Sequence, residues 1–270
     1  MARAGEGGVR ATLGDAPILG LQMSAHSNVR ETANFRSETA VVNGVPLHYW
    51  IGGNPNGMPA LLWHGFLGTG YSWHKVMPLL AEAGFSILVP DMLGYGDSDK
   101  PAGDEGYDSC ALAEEFRALV WQIEFGAGQP LLLAAHDMGA PPALLWAADY
   151  PGEVAGLLYM EVPVMLAEVL TKIITYTSEA MKKGSMWWWI LPLAPDVLNR
   201  LIVGHEREFL TWFSKALPLI RLPSSLPQLM STCAVSQVLK AFWGHMAYTA
   251  LPSQRWIRLL PWPYVRCNSR

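Results

Sequence analysis

Four short apolar runs that alternate with helical segments place the strongest constraint on how this chain can fold. The runs occupy residues 60–63, 86–90, 130–135 and 154–160, and segments of helical periodicity at 73–83, 110–125 and 140–149 separate them. Continuous apolar strands alternating with helices indicate a parallel sheet that is covered on both faces. Two further strands are predicted at 39–42 and 45–51, joined by Asn43-Gly44, a dipeptide typical of tight hairpins. We therefore expect an α/β fold with its ligand site at the carboxyl ends of the parallel strands.

Composition limits the class of protein and its partners. With 270 residues, 51% of them hydrophobic, the chain is long enough for one domain with a large core. The formal net charge of -4 and the lack of a basic stripe argue against nucleic acid as a partner. The sequence has neither an apolar stretch of membrane-spanning length nor an apolar leader, so we expect no membrane association and a cytoplasmic location, with residues 1–35 as a disordered lead-in. Since His, Cys and carboxylate residues show no metal-ligand spacing, neither a metal nor a cofactor is expected.

The segment after the third apolar run has the pattern of a nucleophile elbow. The strand at 130–135 is followed by His136-Asp137-Met138-Gly139-Ala140 and then by a predicted helix. A sharp strand-to-helix turn needs small neighbours for clearance and lifts its central side chain clear of the sheet. The positive end of the helix dipole favours an ionised carboxylate there. Asp137 is therefore predicted to attack carbon and form an ester that water cleaves, although an aspartate before a helix also serves as an N-cap.

Two loops at neighbouring strand ends complete the predicted site. His64-Gly65-Phe66 follows the first apolar run. The backbone N–H groups of Phe66 and Met138 are predicted to face the charge that develops on the ester carbonyl oxygen. The loop after the second run, residues 91–101, contains glycines that allow a tight return, a pattern that plain turns share.

The motifs HGF, DMLGYGDSDKP and HDMGA, in this order and spacing, resemble those of the epoxide hydrolase and haloalkane/haloacetate dehalogenase branch of the α/β-hydrolase superfamily. The resemblance implies the α/β-hydrolase fold, a mostly parallel sheet flanked by helices, with its core over residues 36–164. It also implies that Asp137 is the nucleophile and that Phe66 and Met138 lend oxyanion N–H groups. Haloalkane dehalogenases usually carry Asn and Trp at these last two positions to hold halide, so the resemblance favours hydrolysis of epoxides or esters over dehalogenation.

The resemblance extends to the catalytic acid and to a helical cap. Glu161, after the fourth apolar run, matches the position of the catalytic acid in some relatives, although a Glu at a strand end can equally be structural. Residues 165–213 resemble the family's cap. Trp188 stands where haloacetate dehalogenases place a His that holds halide, and the Trp run at 187–189 is expected to pack the cap over the site.

Residues 214–270 do not continue the family pattern. Residues 209–270 contain none of the chain's 23 acidic residues, and they show no strand–helix–strand pattern, so the C-terminal strands are expected to be missing. The family's late histidine, which activates water against the ester, has no counterpart. A shifted frame of codons 241–251 can encode V-L-G-A-Y-G-V-Y-R-A-A, which resembles the family's helix after the cap. We hypothesise that the reading frame slips shortly after Phe213, which would make His245 an accident of that shift.

The leading hypothesis is a hydrolase of small epoxide-like molecules that forms an ester on Asp137. Without the late histidine, Asp137 is expected to be alkylated once and not released. A haloalkane or haloacetate dehalogenase is the second enzyme hypothesis. A non-catalytic protein that binds a small ligand in the same pocket is the alternative from another class, and a protease-resistant region 214–270 would favour it.

Overall fold

The computed structural model describes residues 35–101 and 106–162, together with residues 178, 200–201, 205, 208–209 and 211–212. Its strands are β1 (Arg36–Val42), β2 (Val45–Gly53), β3 (Pro59–Trp63), β4 (Ser86–Pro90), β5 (Leu131–His136) and β6 (Val154–Met160). Its α-helices are α1 (Met77–Glu82), α2 (Ser109–Gln122) and α3 (Ala140–Asp149). None of the helices in these ranges is long and apolar enough to cross a membrane.

The six strands form one sheet in the order β1-β2-β4-β3-β5-β6. β1 and β2 pair antiparallel, as do β2 and β4, whereas β4, β3, β5 and β6 run parallel to one another. Asn43 and Gly44 join β1 to β2 with φ values of 50° and 87°, which are the left-handed angles of a tight hairpin. The structure confirms the predicted mostly parallel sheet and places the carboxyl ends of β3 and β5 side by side.

Helices and loops cover both faces of the sheet. Successive residues of a strand point to opposite faces, so Trp63 of β3 joins one apolar cluster and Leu62 joins the other. Trp63 packs against Phe116 of α2, with ring centroids 4.6 Å apart. On the opposite face, Met77 of α1 and Phe35 bury against the sheet. Each such large side chain contributes roughly 1.5–3 kcal/mol when it is fully buried.

Two helices are shorter than their apolar periodicity predicts. The segment predicted at 73–83 divides into a 3₁₀ turn at Gly70–Trp73 and α1, and Pro78 occupies the first turn of α1, where its missing N–H costs nothing. α2 ends at Gln122 rather than at residue 125 because Glu124 adopts a left-handed φ of 51°. Boundary differences of this size do not move the strand ends that carry the site.

A buried polar network ties β1 and β2 to the loop after β4. Nδ1 of His48 lies 2.8 Å from Oδ2 of Asp91, and the hydroxyl of Ser37 lies 2.8 Å from Nε2 of the same imidazole. Burial raises the pKa of Asp91, but hydrogen bonds and the charge of His48 outweigh burial and hold that pKa at about 2. The backbone N–H of Gly70 donates to the other Asp91 oxygen at 2.6 Å. The loop after β4 is therefore fixed to the sheet by an ionised, hydrogen-bonded carboxylate.

β6 is the outer strand of the described sheet. It pairs with β5, and Leu158 on β6 keeps 53% of its surface exposed. The predicted lead-in, cap and tail (1–35, 165–213 and 214–270) lie outside the described residues except for Phe35 and the few positions given above. The predictions for those segments, including Trp188 and His245, stay predictions.

Candidate active site

Asp137 occupies a strained turn between β5 and α3. β5 ends at His136, and a 3₁₀ turn at Asp137–Gly139 leads directly into α3. The φ of Asp137 is 51°, in the left-handed region, where a residue with a Cβ costs about 1–3 kcal/mol. Such a conformation persists only where surrounding contacts enforce it. The strand–turn–helix arrangement predicted for the nucleophile elbow is therefore present at the predicted residue.

Two glycines allow the elbow to approach the loop after β3. A Cβ built on Gly65 would lie 2.5 Å from the Cβ of Asp137 and 2.8 Å from its Oδ1. A Cβ on Gly139 would lie 2.8 Å from Cδ1 of Trp63 and would also clash with the carbonyl oxygen of His64. Any larger residue at either position would push the two loops apart. The small residues in HGF and HDMGA are thus required by the close approach of two backbones.

Backbone N–H groups hold the carboxylate of Asp137. The N–H of Phe66 donates to Oδ1 of Asp137 at 2.7 Å, and the N–H of Met138 also donates to this carboxylate. Burial raises the pKa of Asp137. The two N–H donors and the positive charge that His136 can carry lower it, but burial is the larger effect, so the net pKa is raised. The geometry brings together the nucleophile and both donors predicted from the sequence. Their catalytic roles stay predictions.

His64 orients the loop that supplies the Phe66 N–H. Its Nε2 accepts the backbone N–H of Met92 at 3.0 Å, so Nδ1 carries the proton and donates to the carbonyl of Gly65 at 3.0 Å. Burial lowers the pKa of His64, which keeps the imidazole neutral. The sequence indicated the HGF loop but assigned His64 no part. Only the contact with Met92, 28 positions along the chain, reveals that it connects the loops after β3 and β4.

Glu161 lies beside the elbow and contacts His136. It follows β6, has a φ of 64°, and its Oε2 lies 3.1 Å from Nε2 of His136. The Glu161 side chain is 76% exposed and the His136 side chain 45% exposed. This carboxylate faces solvent, and its role as the catalytic acid stays a prediction. Sequence analysis gave His136 no role, although its position directly before the predicted nucleophile was a usable signal.

Within the described ranges, potential metal-ligand atoms converge in one group of residues, His48, Asp91 and Asp97. Their ligand atoms lie within 4.8 Å of one another. Both ring nitrogens of His48 and both oxygens of Asp91 already take part in hydrogen bonds, one of them from the backbone N–H of Asp97. A cation would have to displace these contacts. We therefore assign this cluster to the loop network rather than to metal binding.

Comparison with known proteins identifies the fold. A family model described as the alpha/beta hydrolase fold matches residues 59–180, the region that runs from β3 through the elbow and beyond β6. The crystal structure of Cfl2 wild-type from Burkholderia cenocepacia is 30% identical, with a TM-score of 0.64, over 80% of this chain and 73% of that one. The chain belongs to the α/β-hydrolase superfamily.

Curated relatives place this α/β-hydrolase in the branch that contains epoxide hydrolases and haloalkane dehalogenases. Epoxide hydrolase A from Mycobacterium tuberculosis is 34% identical over 125 residues, which are 46% of this chain and 37% of that protein. A haloalkane dehalogenase from Sphingobium indicum is 33% identical over 114 residues, which are 42% of this chain and 38% of that protein. The predicted family and fold are confirmed. The chain spans less than two fifths of the length of either relative.

Proposed function

We propose that this α/β-hydrolase acts on small epoxides and uses Asp137 as its nucleophile. The observation that carries the proposal is the left-handed Asp137 at a strand–helix turn, with the Phe66 N–H 2.7 Å from its carboxylate. An aspartate serving merely as an N-cap would have extended backbone angles and would accept N–H groups from its own helix. Asp137 has a left-handed φ of 51° and, besides the N–H of Met138, accepts an N–H from a loop 71 positions earlier.

The first chemical step forms an ester. One oxygen of the ionised Asp137 carboxylate attacks a ring carbon of the epoxide, the carbon–oxygen bond of the ring breaks, and the released alkoxide takes a proton from water. The other carboxylate oxygen becomes the ester carbonyl oxygen and keeps the N–H groups of Phe66 and Met138 as donors. Those donors then stabilise the negative charge that appears on this oxygen when water attacks the ester.

Two residues favour epoxides over halides as substrates. By its resemblance to the dehalogenases, this site would need Asn at position 66 and Trp at position 138 to hold a leaving halide, but it has Phe66 and Met138. An epoxide retains its oxygen after ring opening, so the reaction has no halide to bind. Several similar curated proteins are named epoxide hydrolases, which supports the same choice.

Covalent labelling tests the proposal. The purified full chain is incubated with styrene oxide, and intact-protein mass spectrometry followed by peptide mapping locates any adduct. We expect one styrene oxide to be added at Asp137, none in Asp137→Asn, and an unchanged result in the control Asp99→Asn, whose carboxylate lies in an exposed loop. Absence of both an adduct and diol formation with the wild-type chain would refute the nucleophile and would favour the non-catalytic binding protein.

The reading-frame hypothesis requires a separate test. The nucleotide sequence from codon 205 to beyond codon 270 will show whether another frame encodes a tyrosine-bearing helix, two strands and a late histidine. The cytoplasmic location also stays a prediction, to be tested by fractionation of cells that express the chain.

A further inference from the structure

The proposed ester needs a base to hydrolyse it, and one imidazole lies at the elbow itself. His136 is the last residue of β5 and pairs in the sheet with Met160, the last residue of β6. Glu161 follows immediately, so the ends of two parallel strands bring its carboxylate to 3.1 Å from Nε2 of His136. The imidazole thus contacts an acid on the next strand and belongs to the residue directly before the nucleophile.

The contact with Glu161 determines which nitrogen of His136 can accept a proton. An ionised carboxylate only accepts hydrogen bonds, so Nε2 must carry the hydrogen. In the neutral ring, Nδ1 then keeps its lone pair. A carboxylate that fixes the tautomer of an imidazole so that the opposite nitrogen can act as a base is the arrangement used by hydrolytic triads.

Backbone strain supports a functional arrangement at these strand ends. Asp137 and Glu161 both have φ values in the left-handed region, 51° and 64°. Neither residue is a glycine, so each position costs about 1–3 kcal/mol. Asp137 directly follows His136 in the chain, and Glu161 follows the neighbouring strand β6. Strain at both sides of one imidazole is expected where the surroundings hold reacting groups in place.

The other histidines between residues 35 and 162 are engaged elsewhere. Both nitrogens of His64 are hydrogen-bonded in the core, and both nitrogens of His48 are used by the loop network. His74 stacks on Tyr71 at a centroid distance of 4.3 Å, with its Nδ1 against the Tyr71 carbonyl. The positive charge that His136 can carry lowers the pKa of the Asp137 carboxyl.

We infer that His136, oriented by Glu161, is the general base that hydrolyses the ester on Asp137. The inference rests on the proposed function. Nδ1 of His136 takes a proton from water while the water oxygen attacks Cγ of the Asp137 ester. The tetrahedral intermediate places its negative charge on the oxygen facing Phe66 and Met138. The bond to the alkyl oxygen then breaks, and the leaving alkoxide takes the proton back from Nδ1. Asp137, left as the carboxylic acid, gives its proton to the hydroxide that ring opening produced, so that the ionised nucleophile is restored, one water is consumed and one diol is released.

The inference changes an expectation drawn from the sequence. Without the family's late histidine, Asp137 was expected to react once and remain alkylated. A base at His136 predicts that the adduct is released. Glu161 is a positioning residue in this scheme, because it acts through the imidazole and not on the ester.

The experiment separates alkylation from release. The full chain is labelled with styrene oxide, excess reagent is removed, and the loss of the adduct is followed by intact-protein mass spectrometry. His136→Gln is the informative variant, since its amide can still donate to Glu161 but offers no imidazole Nδ1. We expect alkylation within about threefold of wild type and release about 100-fold slower or more, the usual contribution of a general base. His74→Gln, which removes an imidazole away from the elbow, should behave as wild type.

The role of Glu161 is tested by the same two rates. Glu161→Gln should slow release and leave alkylation unchanged, and Glu161→Asp should recover part of the release rate.

The outcomes distinguish the two claims. If the wild-type chain forms neither an adduct at Asp137 nor a diol, the proposed function fails and the inference fails with it. If the wild-type adduct is never released, or if His136→Gln releases it at the wild-type rate, the inference alone is refuted. A normally alkylated His136→Gln chain that keeps its adduct would support both claims, since alkylation itself shows that the elbow is correctly folded.

Discussion

One carboxyl oxygen of Glu115 is buried without a hydrogen-bond partner among the described residues, and this should make stability depend on pH. Glu115 lies on α2, and its Oε2 has no hydrogen-bond partner within the part of the chain that the structure describes. Burial raises the pKa of Glu115 from 4.5 to about 7. A shift of this size corresponds to about 3 kcal/mol, since each pKa unit is worth about 1.4 kcal/mol.

The sign follows from proton binding in the two states. Between pH 4.5 and 7, the folded chain keeps a proton on Glu115 that the unfolded chain has lost. Because the folded state binds more protons there, the free energy of unfolding falls as pH rises. The loss is absent below the unfolded pKa and reaches its full value above the folded one. Glu115→Gln removes the titrating group while preserving the shape of the side chain.

Urea unfolding followed by Trp fluorescence measures this effect. Relative to Glu115→Gln, the wild-type chain should lose about 3 kcal/mol of unfolding free energy between about pH 4.5 and pH 8. Comparing the two proteins cancels every other group that titrates. Glu124→Gln, which alters an exposed carboxyl, should follow the wild-type curve. If wild type and Glu115→Gln have parallel pH profiles, burial does not perturb this carboxyl and the reasoning is wrong.

Three further predictions concern the elbow and the loop network. Gly65→Ala should abolish labelling of Asp137 by styrene oxide because its Cβ would lie 2.5 Å from that of Asp137, whereas Gly152→Ala, with nothing within 4 Å, should label normally. Alkylation of Asp137 should slow as pH falls through its raised pKa, since only the ionised carboxylate attacks. An alkylation rate that does not change with pH in mass-spectrometric time courses would count against this. Asp91→Asn should destabilise the chain by about 3–5 kcal/mol in urea, because it leaves His48 buried without its charged partner. The wild-type chain should also lose about 2 kcal/mol between about pH 4 and pH 2 as Asp91 is protonated, a loss that is missing in the variant.

The parts of the fold that the sequence predicted correctly are encoded locally. The Asn43-Gly44 hairpin, the buried β3 and β5 runs and the turn at Asp137 each depend on a few consecutive residues whose backbone preferences agree. The elbow was also recognisable because its small residues occur at fixed spacing around the aspartate. For the same reason, Phe66 and Met138 could be identified as candidate donors before their distances to Asp137 were known.

The remaining features depend on contacts between distant positions. His64 gave no signal by itself, since its partner Met92 is fixed only when the ends of β3 and β4 meet. Glu161 was predicted as an acid, but its contact with His136 follows from the register of β5 and β6 and not from either motif. The missing partner of Glu115 likewise depends on how α2 packs. Periodicity predicts which face of a helix is buried, but it cannot show whether a carboxyl on that face finds a donor.

The close approach of the HGF loop to the elbow has a consequence for the chain during its synthesis. The hydrogen bonds and glycine contacts described for the Asp137 carboxylate come from residues no later than Gly139, and its Phe66 donor is made first. Because folding during synthesis proceeds from the N-terminal part of a chain, we expect the elbow to form while the region proposed to cover it is still being translated. Chains that stop after the elbow would then expose this carboxylate to electrophiles in the cell.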